Sequence, residues 1–504
     1  SADGHLTPEA NRAARRPVLL FQGGVHAGEI DGKDAGFLVL KELLATPREK
    51  SPLTRSTLVF VPVFNVDGHE RFGPNHRPNQ RGPEEMGWRV SAQNLNLNRD
   101  YAKADAPEMR HLLGLLNRWD PILYVDLHVT DGAKFQPDMA VLIEPMRSGP
   151  EPLRRVAAQA SAALLKRLEA EGHLPLPFYP SFERNDDPAS GFAAGVPPPR
   201  FSNGYWAVRN RLGVLVETHS WRPYPHRVRT TANVIRGLVA LAAASGGAWL
   251  DAAAKSDAET RALRGELPVQ FAPAGRPKPL AFPGYAYRRE PSEISGGLRT
   301  VYDESKPQVW TLPWDADVVV KASARVPATG YLVPAAHAAW VAERLQVHGI
   351  AFERTSGPAT REVEVFRATD AKFRAEPYEG RQTVKLEGAW TREKREVPQG
   401  SLVVPVAQPL GRLVVQLFDP VAPDAFVSWG FFNAAFEQKE YMEDYVAEEE
   451  ARAMLARDPS LAGEFARRLE DPAFARDPGA RLRFFYARHP SFDERYRLYP
   501  VYRF

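Results

Sequence analysis

The chain has 504 residues, with 65 Lys or Arg and 62 Asp or Glu, so its formal net charge is only +3. The basic residues are scattered, which excludes an electrostatic case for nucleic-acid binding. The absence of cysteine excludes a disulfide framework, a thiol nucleophile and a cysteine-ligated metal. No run of about 18 apolar residues occurs, so the sequence predicts no membrane span.

Four short, β-branched apolar runs in the first half predict strands that are buried on both faces of a sheet. They cover residues 17–21, 56–64, 122–127 and 213–217. Helical patterns lie between or after them, at 105–118, 151–170 and about 230–244. This alternation predicts a three-layer α/β/α domain with a mixed, mainly parallel sheet.

The length of the chain predicts two domains, since a single core rarely grows so large. A proline-dense segment at 267–284 follows the last α/β unit, so we divide the chain into 1–250 and 251–504. The second domain has strand-like runs at 315–324, 381–390 and 401–418, a helix at about 335–348, and an acidic helical segment beyond Phe432. We expect a β-rich α+β domain with terminal helices and no assigned role.

The first predicted strand begins already at Pro17, only nine residues before the first candidate site residue. An interior strand so early in the chain suggests that N-terminal strands, and any targeting segment with them, are absent from this sequence. We therefore expect the first domain to lack its N-terminal strands.

Ionisable residues stand at the ends of the apolar runs: His26 and Glu29 in QGGVHAGEIDG, His128 in ILYVDLHVTDG, and Glu217 in GVLVETHS. A histidine three residues before an acid arises by chance about once or twice in such a chain, so spacing alone is no evidence. Their position is informative, because open α/β sheets bind ligands at the carboxyl ends of their strands. Two histidines and one glutamate predict a catalytic zinc site, and a second glutamate remains to act on the attacking water.

A further group is suited to sensing the substrate. The segment NLNLNRDY places Asn98 next to Arg99, whose planar fork matches a carboxylate. We expect this pair to hold the C-terminal carboxylate of a peptide. Arg89 is expected to stabilise the oxyanion, although Arg77 and Arg81 lie nearby in the sequence.

The motifs VHAGE, NVDG, RVSAQNLNLNRDY, DLH and VLVETH, in this order, resemble those of zinc metallocarboxypeptidases of the carboxypeptidase A type. The resemblance extends over about residues 17–245, and two His with one Glu is the ligand set already known from carboxypeptidase A. It implies a carboxypeptidase-like catalytic domain with one zinc ion. The implied roles are metal ligands His26, Glu29 and His128, general acid/base Glu217, carboxylate clamp Asn98 and Arg99, and oxyanion residue Arg89.

Two positions depart from the family pattern. The family has Asp two residues before the clamp asparagine, where this chain has Asn96. A carboxylate there raises the basicity of a histidine ligand, so Asn96 predicts a weaker metal site or a substitute such as Asp126. The family also uses a substrate-binding tyrosine ahead of the catalytic glutamate. Tyr205 is the nearest candidate, with an ordinary packing role as the alternative.

The sequence therefore predicts hydrolysis of C-terminal peptide bonds by a metal-activated water, with Glu217 as the general base. The expected partner is a peptide with a free C-terminal carboxylate. One alternative is a zinc amidase or deacylase that acts on cell-wall peptides or N-acyl amino acids. Another is a non-catalytic peptide-binding protein that retains the fold. The resemblance implies a secreted or periplasmic location, although this sequence contains no signal peptide.

Overall fold

The computed structural model describes residues 1–504. The strands of the first half are β1 (Val18–Gly23), β2 (Thr57–Val61), β3 (Gly73–Pro74), β4 (Glu85–Met86), β5 (Leu123–Val129), β6 (Met139–Glu144), β7 (Pro175–Leu176), β8 (Phe192–Ala193) and β9 (Leu212–Thr218). The helices of this half are α1 (Pro8–Ala13), α2 (Asp31–Ala45), α3 (Val66–Glu70), α4 (Pro107–Trp119), α5 (Glu151–Ala170), α6 (Ser202–Val208) and α7 (Tyr224–Arg261). All four predicted strands and all three predicted helices of this half are present.

Six strands form the central sheet in the order β2-β1-β5-β9-β6-β7. Strands β2, β1, β5 and β9 run parallel, and β6 pairs antiparallel with β9. The chain passes from β1 to β2 on one side and returns as β5 on the other side of β1. Such a reversal of direction opens a crevice at the carboxyl ends of the strands. The predicted mixed, mainly parallel sheet is confirmed.

Alternate side chains of the sheet enter two different cores. Leu19 and Phe21 pack with residues of α2, α5 and α7, whereas Leu20 packs with residues of α4, α6 and the second half of the chain. Tyr124 and its neighbour Val125 on β5 divide in the same way. The sheet is therefore covered on both faces, as the predicted three-layer arrangement requires.

The second half is rich in strands, as predicted. These are β10 (Glu266–Pro273), β11 (Lys278–Pro291), β12 (Leu298–Asp315), β13 (Val318–Arg325), β14 (Gly330–Val333), β15 (Glu353–Arg354), β16 (Ala359–Phe373), β17 (Val384–Val397), β18 (Leu402–Pro405) and β19 (Tyr502–Arg503). The helices are α8 (Ala335–His348), α9 (Gly411–Phe418), α10 (Asp444–Arg457), α11 (Pro459–Arg468), α12 (Pro472–Ala475) and α13 (Pro478–Tyr486). Six strands form a second sheet, and the long hairpin β11–β12 pairs with β8 of the first half.

The prediction of a strand-like run over 401–418 is wrong in its second part, where the structure has helix α9. Its apolar residues are all buried, including Leu413, Val414, Val415 and Leu417. The polar face of this eight-residue helix consists only of Arg412 and Gln416, and two turns provide too few positions to establish a helical period. A short apolar run of this kind suits a buried strand equally well.

Helix α7 is, by its length and composition alone, long and apolar enough to cross a membrane. Polar residues interrupt α7, so it contains no run of about 18 apolar residues, the pattern on which the sequence prediction rests. In the structure α7 packs against α2, α5 and β9. Burial against a sheet explains the apolar composition of such a helix.

The division at residue 250 falls inside α7, which continues to Arg261. The largest core joins Leu20 and Tyr124 of the central sheet to Tyr331 and Val404 of the second half. The division into 1–250 and 251–504 stays a prediction.

Candidate metal centre and active site

The structure brings the three predicted metal ligands together at the carboxyl ends of β1 and β5. Nδ1 of His26 lies 2.8 Å from Oε1 of Glu29, and Nδ1 of His128 lies 2.9 Å from Oε2 of the same carboxylate. The backbone N–H of Val129 donates to Oε2 at 3.0 Å. All three ligand side chains are buried, and one ligand atom from each lies within 4.8 Å of the others. The carboxylate is thus held between two imidazoles.

The loop between β1 and α2, which carries two of these ligands, lies against Arg77. Gly28 permits this approach, since a Cβ at its position would lie 2.5 Å from Cγ of Arg77. Nη1 of Arg77 is 2.9 Å from Oε1 of Glu29. Burial acts to raise the pKa of Glu29, but Arg77 and His26 outweigh burial and hold this pKa well below its usual range. The carboxylate is therefore ionised, as a metal ligand must be.

The second nitrogen of His26 faces an amide oxygen. Nε2 lies 3.1 Å from Oδ1 of Asn96, and the same oxygen accepts the backbone N–H of Asn98 at 3.0 Å. Because Oδ1 already accepts from a backbone donor, it is the oxygen of the amide that faces the imidazole. A proton on Nε2 then leaves the lone pair of Nδ1 directed at Glu29.

The second nitrogen of His128 lies close to Asp126, on the same strand. Nε2 is 2.9 Å from Oδ2 of Asp126, an electrostatic contact whose angle does not complete a hydrogen bond. Asp126 favours a proton on this nitrogen and so directs the Nδ1 lone pair of His128 toward Glu29. Two such lone pairs and one carboxylate form the donor set of a zinc ion, so these residues fit that ion.

Glu217 stands on β9 directly beside His128, its partner in the register of β5 and β9. Its side chain is buried and lines the cleft. Burial, aided by the negative charges of Glu29 and Asp126 and opposed by His128, raises the pKa of Glu217 to about 8. A carboxyl group with a pKa near neutrality can both accept and release a proton.

The metal centre opens into a cleft of about 470 Å³ that Asn98 and Arg99 also line. The Arg99 guanidinium lies 4.5 Å from the ring centre of Phe201, and its Nη1 donates to the backbone oxygen of Asn98 at 2.9 Å. Oδ1 of Asn98 is buried and has no hydrogen-bond partner. Both side chains are therefore positioned in the cleft by contacts that leave polar atoms free.

Of the three neighbouring arginines Arg77, Arg81 and Arg89, only Arg89 lines this cleft. Its Nη1 lies 3.5 Å from Oε1 of Glu29. Arg81 instead donates to Glu304 of the β11–β12 hairpin at 2.9 Å, and Arg77 is buried behind Glu29. The cleft thus contains all the predicted site residues except one.

Tyr205 is the predicted site residue that the structure does not bring to the cleft. Its hydroxyl is buried, lies 2.8 Å from Nδ1 of His348 and accepts from Nη1 of Arg209 at 3.0 Å. Its ring packs against Tyr101. Helix α6 directs this side chain into the core shared with α8. The position of Tyr205 therefore agrees with the packing role and not with the substrate-binding role.

Tyr179 lines the cleft instead and is 36% exposed. Its partial burial and the negative charges of Glu217 and Asp131 raise its pKa well above the usual value, so the phenol keeps its proton. Tyr179 was not predictable from the sequence, because the segment around it has no periodic pattern. The structure forms only two-residue strands at 175–176 and 192–193 there. The one sequence feature that could have indicated Tyr179 is the presence of a tyrosine between the metal ligand His128 and Glu217.

The sequence profile of the zinc carboxypeptidase family matches residues 5–171. This part of the chain is similar to the zinc carboxypeptidases. The resemblance predicted from the motifs is confirmed. The matched segment includes the candidate ligands His26, Glu29 and His128 and ends before Glu217, which the fold brings to the same cleft.

Individual relatives overlap only parts of the chain. Carboxypeptidase Z of Gallus gallus is 31% identical over 94 residues, which are 17% of this chain and 14% of that protein. A metallo-carboxypeptidase of Pseudomonas aeruginosa, solved with (2-guanidinoethylmercapto)succinic acid, is 16% identical over 45% of this chain and 57% of its own, with a TM-score of 0.32. A metallo-carboxypeptidase of Burkholderia cenocepacia is 14% identical over 46% and 57%, with a TM-score of 0.33. The chain therefore spans less than two thirds of the length of each.

Proposed function

We propose that this chain is a zinc-dependent carboxypeptidase that releases C-terminal residues from peptides. The observation that carries the proposal is the position of Glu29 between the two Nδ1 atoms of His26 and His128, with Glu217 beside them in one cleft. A location outside the cytoplasm, secreted or periplasmic, stays a prediction from the family resemblance.

The reaction assigns a separate task to each side chain. His26, Glu29 and His128 would hold the ion, and zinc when bound supplies Lewis-acid polarisation of the scissile carbonyl and of water. Glu217 takes a proton from the attacking water and delivers it to the leaving amine, which is too basic to depart as an anion. Arg89 donates to the carbonyl oxygen as negative charge develops there.

The clamp, Asn98 and Arg99, would recognise a terminal carboxylate and so restrict cleavage to the C-terminal residue. Arg99 offers two parallel N–H donors to a terminal carboxylate, and its position over Phe201 limits the orientations of the guanidinium. Asn98 is placed beside it to contact the terminal residue. Tyr179 also lines the cleft and keeps its proton, so its hydroxyl can donate a hydrogen bond to the bound peptide.

Arg147 supports a preference for acidic C-terminal side chains. It lines the cleft, is partly exposed, and forms no ion pair or hydrogen bond with another residue. Leu142 and Leu215, which are partners in the register of β6 and β9, line the same cleft. An aliphatic surface with an unpaired guanidinium suits a short apolar stem that ends in a carboxylate.

The test compares the wild type with Glu217→Gln on peptides that differ only in a free or an amidated C-terminus. We expect the wild type to cleave the free peptide and to lose most activity on the amidated one. The Glu217→Gln variant should keep its zinc content while kcat falls by about 10²–10⁴-fold, the usual contribution of a general base. A Glu169→Gln variant, changed on the exposed face of α5, should match the wild type.

Other outcomes identify the alternatives. Equal turnover of free and amidated peptides would contradict the clamp and favour the amidase or deacylase function. Peptide binding without turnover in the wild type would favour a binding protein. Unchanged hydrolysis by Glu217→Gln with zinc bound would refute the mechanism.

A further inference from the structure

A second cluster of metal-binding side chains lies outside the cleft. It consists of Asp138 just before β6, His173 after α5 and His226 in the first turn of α7. Nδ1 of His173 lies 2.7 Å, and Nε2 of His226 3.2 Å, from the same Oδ2 of Asp138. One ligand atom from each residue lies within 4.8 Å of the others, as in the candidate zinc centre. The proposed reaction uses none of these three residues.

The carboxylate at the middle of this cluster is ionised and held in place. Its Oδ1 accepts the backbone N–H of Leu174 at 2.9 Å, which leaves Oδ2 for the two imidazoles. Burial acts to raise the pKa of Asp138, but hydrogen bonds from His173 and His226 outweigh burial and hold this pKa far below its usual value. The side chain of Asp138 is buried, that of His173 is 10% exposed, and that of His226 is 36% exposed. One side of the cluster is thus open to water.

We propose that Asp138, His173 and His226 form a second divalent-metal site, with zinc as the preferred ion. Two imidazole nitrogens and one carboxylate oxygen are a common protein ligand set for zinc, and the open side supplies a position for water. The three residues belong to three separate elements, so the ion would join the end of α5, the start of β6 and the start of α7.

Metal binding at this site requires each histidine to give up the proton on the nitrogen that faces Asp138. Nε2 of the partly exposed His226 can exchange its proton with water, whereas the proton shift on the less exposed His173 involves Asn233. Nδ2 of Asn233 contacts Nε2 of His173 at 2.9 Å, and Oδ1 of Asn233 accepts from Arg236. In this arrangement His173 carries its proton on Nδ1 and donates it to Asp138. The ion displaces that proton, His173 becomes protonated on Nε2, and the Asn233 amide turns its oxygen toward it. Arg236 then keeps its two hydrogen bonds to Glu42.

The site is connected to the strand that carries Glu217. The backbone N–H of His219 donates to the backbone oxygen of Asp138 at 3.0 Å, and Met139 is the register partner of Thr218. An ion at this position would fix the end of β9 against α7. Its role is therefore to position the strand end, without contact with the substrate.

The first experiment measures metal content by mass spectrometry after the full-length protein is loaded with zinc and dialysed. We expect about two ions per chain in the wild type and about one in His226→Gln, because the partly exposed side chain can be replaced without disturbing the core. His111→Gln, changed at an exposed histidine of α4, should retain about two. One ion in both the wild type and His226→Gln, or two in both, would overturn the proposal.

A second experiment uses Asn233→Asp, whose carboxylate accepts from both His173 Nε2 and Arg236 without any rotation. We expect its affinity for the second ion to rise by about ten-fold or more, as measured by cobalt titration followed by visible absorption. Unchanged or weaker binding would overturn the proposed proton shift. The first test depends on the loss of about one ion in His226→Gln relative to the wild type, and this difference requires neither turnover nor zinc at the catalytic centre.

Discussion

Oδ1 of Asn96 lies 3.1 Å from Nε2 of His26 and also accepts the backbone N–H of Asn98. A single amide oxygen thus orients a metal ligand and the start of the carboxylate clamp. An amide oxygen is a weaker acceptor than a carboxylate, so the metal centre has a histidine of lower basicity than an aspartate would produce. This contact leads to the first prediction.

Asn96→Asp should raise zinc affinity at the catalytic centre by about 10–100-fold, the range over which such partners act. Asn96→Leu should lower it, because His26 then loses the acceptor that directs its proton to Nε2. Competition with a chelator measures both. Asn185→Asp adds the same charge at an exposed position and should leave the affinity unchanged. Equal affinities for Asn96→Asp and the wild type would contradict the assigned role of Asn96.

Arg99→Ala should lower kcat/KM for peptides with a free C-terminus by about 10–100-fold, since a hydrogen bond to a charged group contributes roughly 1.5–3 kcal/mol. Arg99→Lys keeps the charge but loses the fork, so its activity should lie between those of the wild type and Arg99→Ala. Amidated peptides should distinguish the variants far less. A loss of equal size on both kinds of peptide would show that Arg99 does not hold the carboxylate.

Tyr179→Phe should affect catalysis, whereas Tyr205→Phe should affect stability. The first removes a donor from the cleft and should lower kcat/KM by about 2–10-fold, as expected for a neutral hydrogen bond, with little change in stability. The second leaves the buried Nδ1 of His348 without a partner and removes one hydrogen bond of Arg209, so it should lower the free energy of unfolding by about 1–3 kcal/mol while kcat/KM is retained. Steady-state kinetics and denaturant unfolding separate the two effects. The reverse result would return the substrate-binding role to Tyr205.

Arg147→Met should change the substrate preference rather than the overall activity. We expect kcat/KM for peptides ending in Glu to fall by about ten-fold or more and that for peptides ending in Leu or Met to hold or rise, because the variant loses a cation and keeps the apolar stem. Arg154→Met, changed at an exposed position of α5, is the matched control. If both substrate classes lose activity equally, Arg147 has no part in the preference.

Glu144→Gln should remove a pH-dependent loss of stability. Glu144 is buried at the end of β6, and burial raises its pKa from 4.5 to about 7. The folded state therefore prefers the neutral acid, so stability is full below pH 4.5 and declines as the pH rises through 7. The shift corresponds to about 3 kcal/mol. Gln keeps the acceptor for the Met146 N–H. In denaturant unfolding, the free energy of unfolding of the variant relative to that of the wild type should therefore increase between pH 5 and 8. A constant difference between the two across this range would contradict the prediction.

The local pattern of the chain was sufficient for elements whose environment is simple. Strands β1, β5 and β9 are buried on both faces, so they are continuous apolar runs, and α5 has one buried face, so its apolar residues recur at helical spacing. Helix α9 was not predictable in this way, because its polar face consists only of Arg412 and Gln416 and its eight residues are too few to distinguish a helical period from a buried strand.

The sequence by itself determined the candidate metal ligands, Glu217 and the clamp, since each follows a strand end or belongs to a contiguous motif. Only the tertiary structure decided that Tyr179 and Arg147 line the cleft and that Tyr205 is buried elsewhere. It alone also joined Asp138 to His173 and His226, which are 35 and 88 residues away along the chain. Such neighbours arise from the packing of α5, β6 and α7, and no local spacing or periodicity records which distant elements will meet.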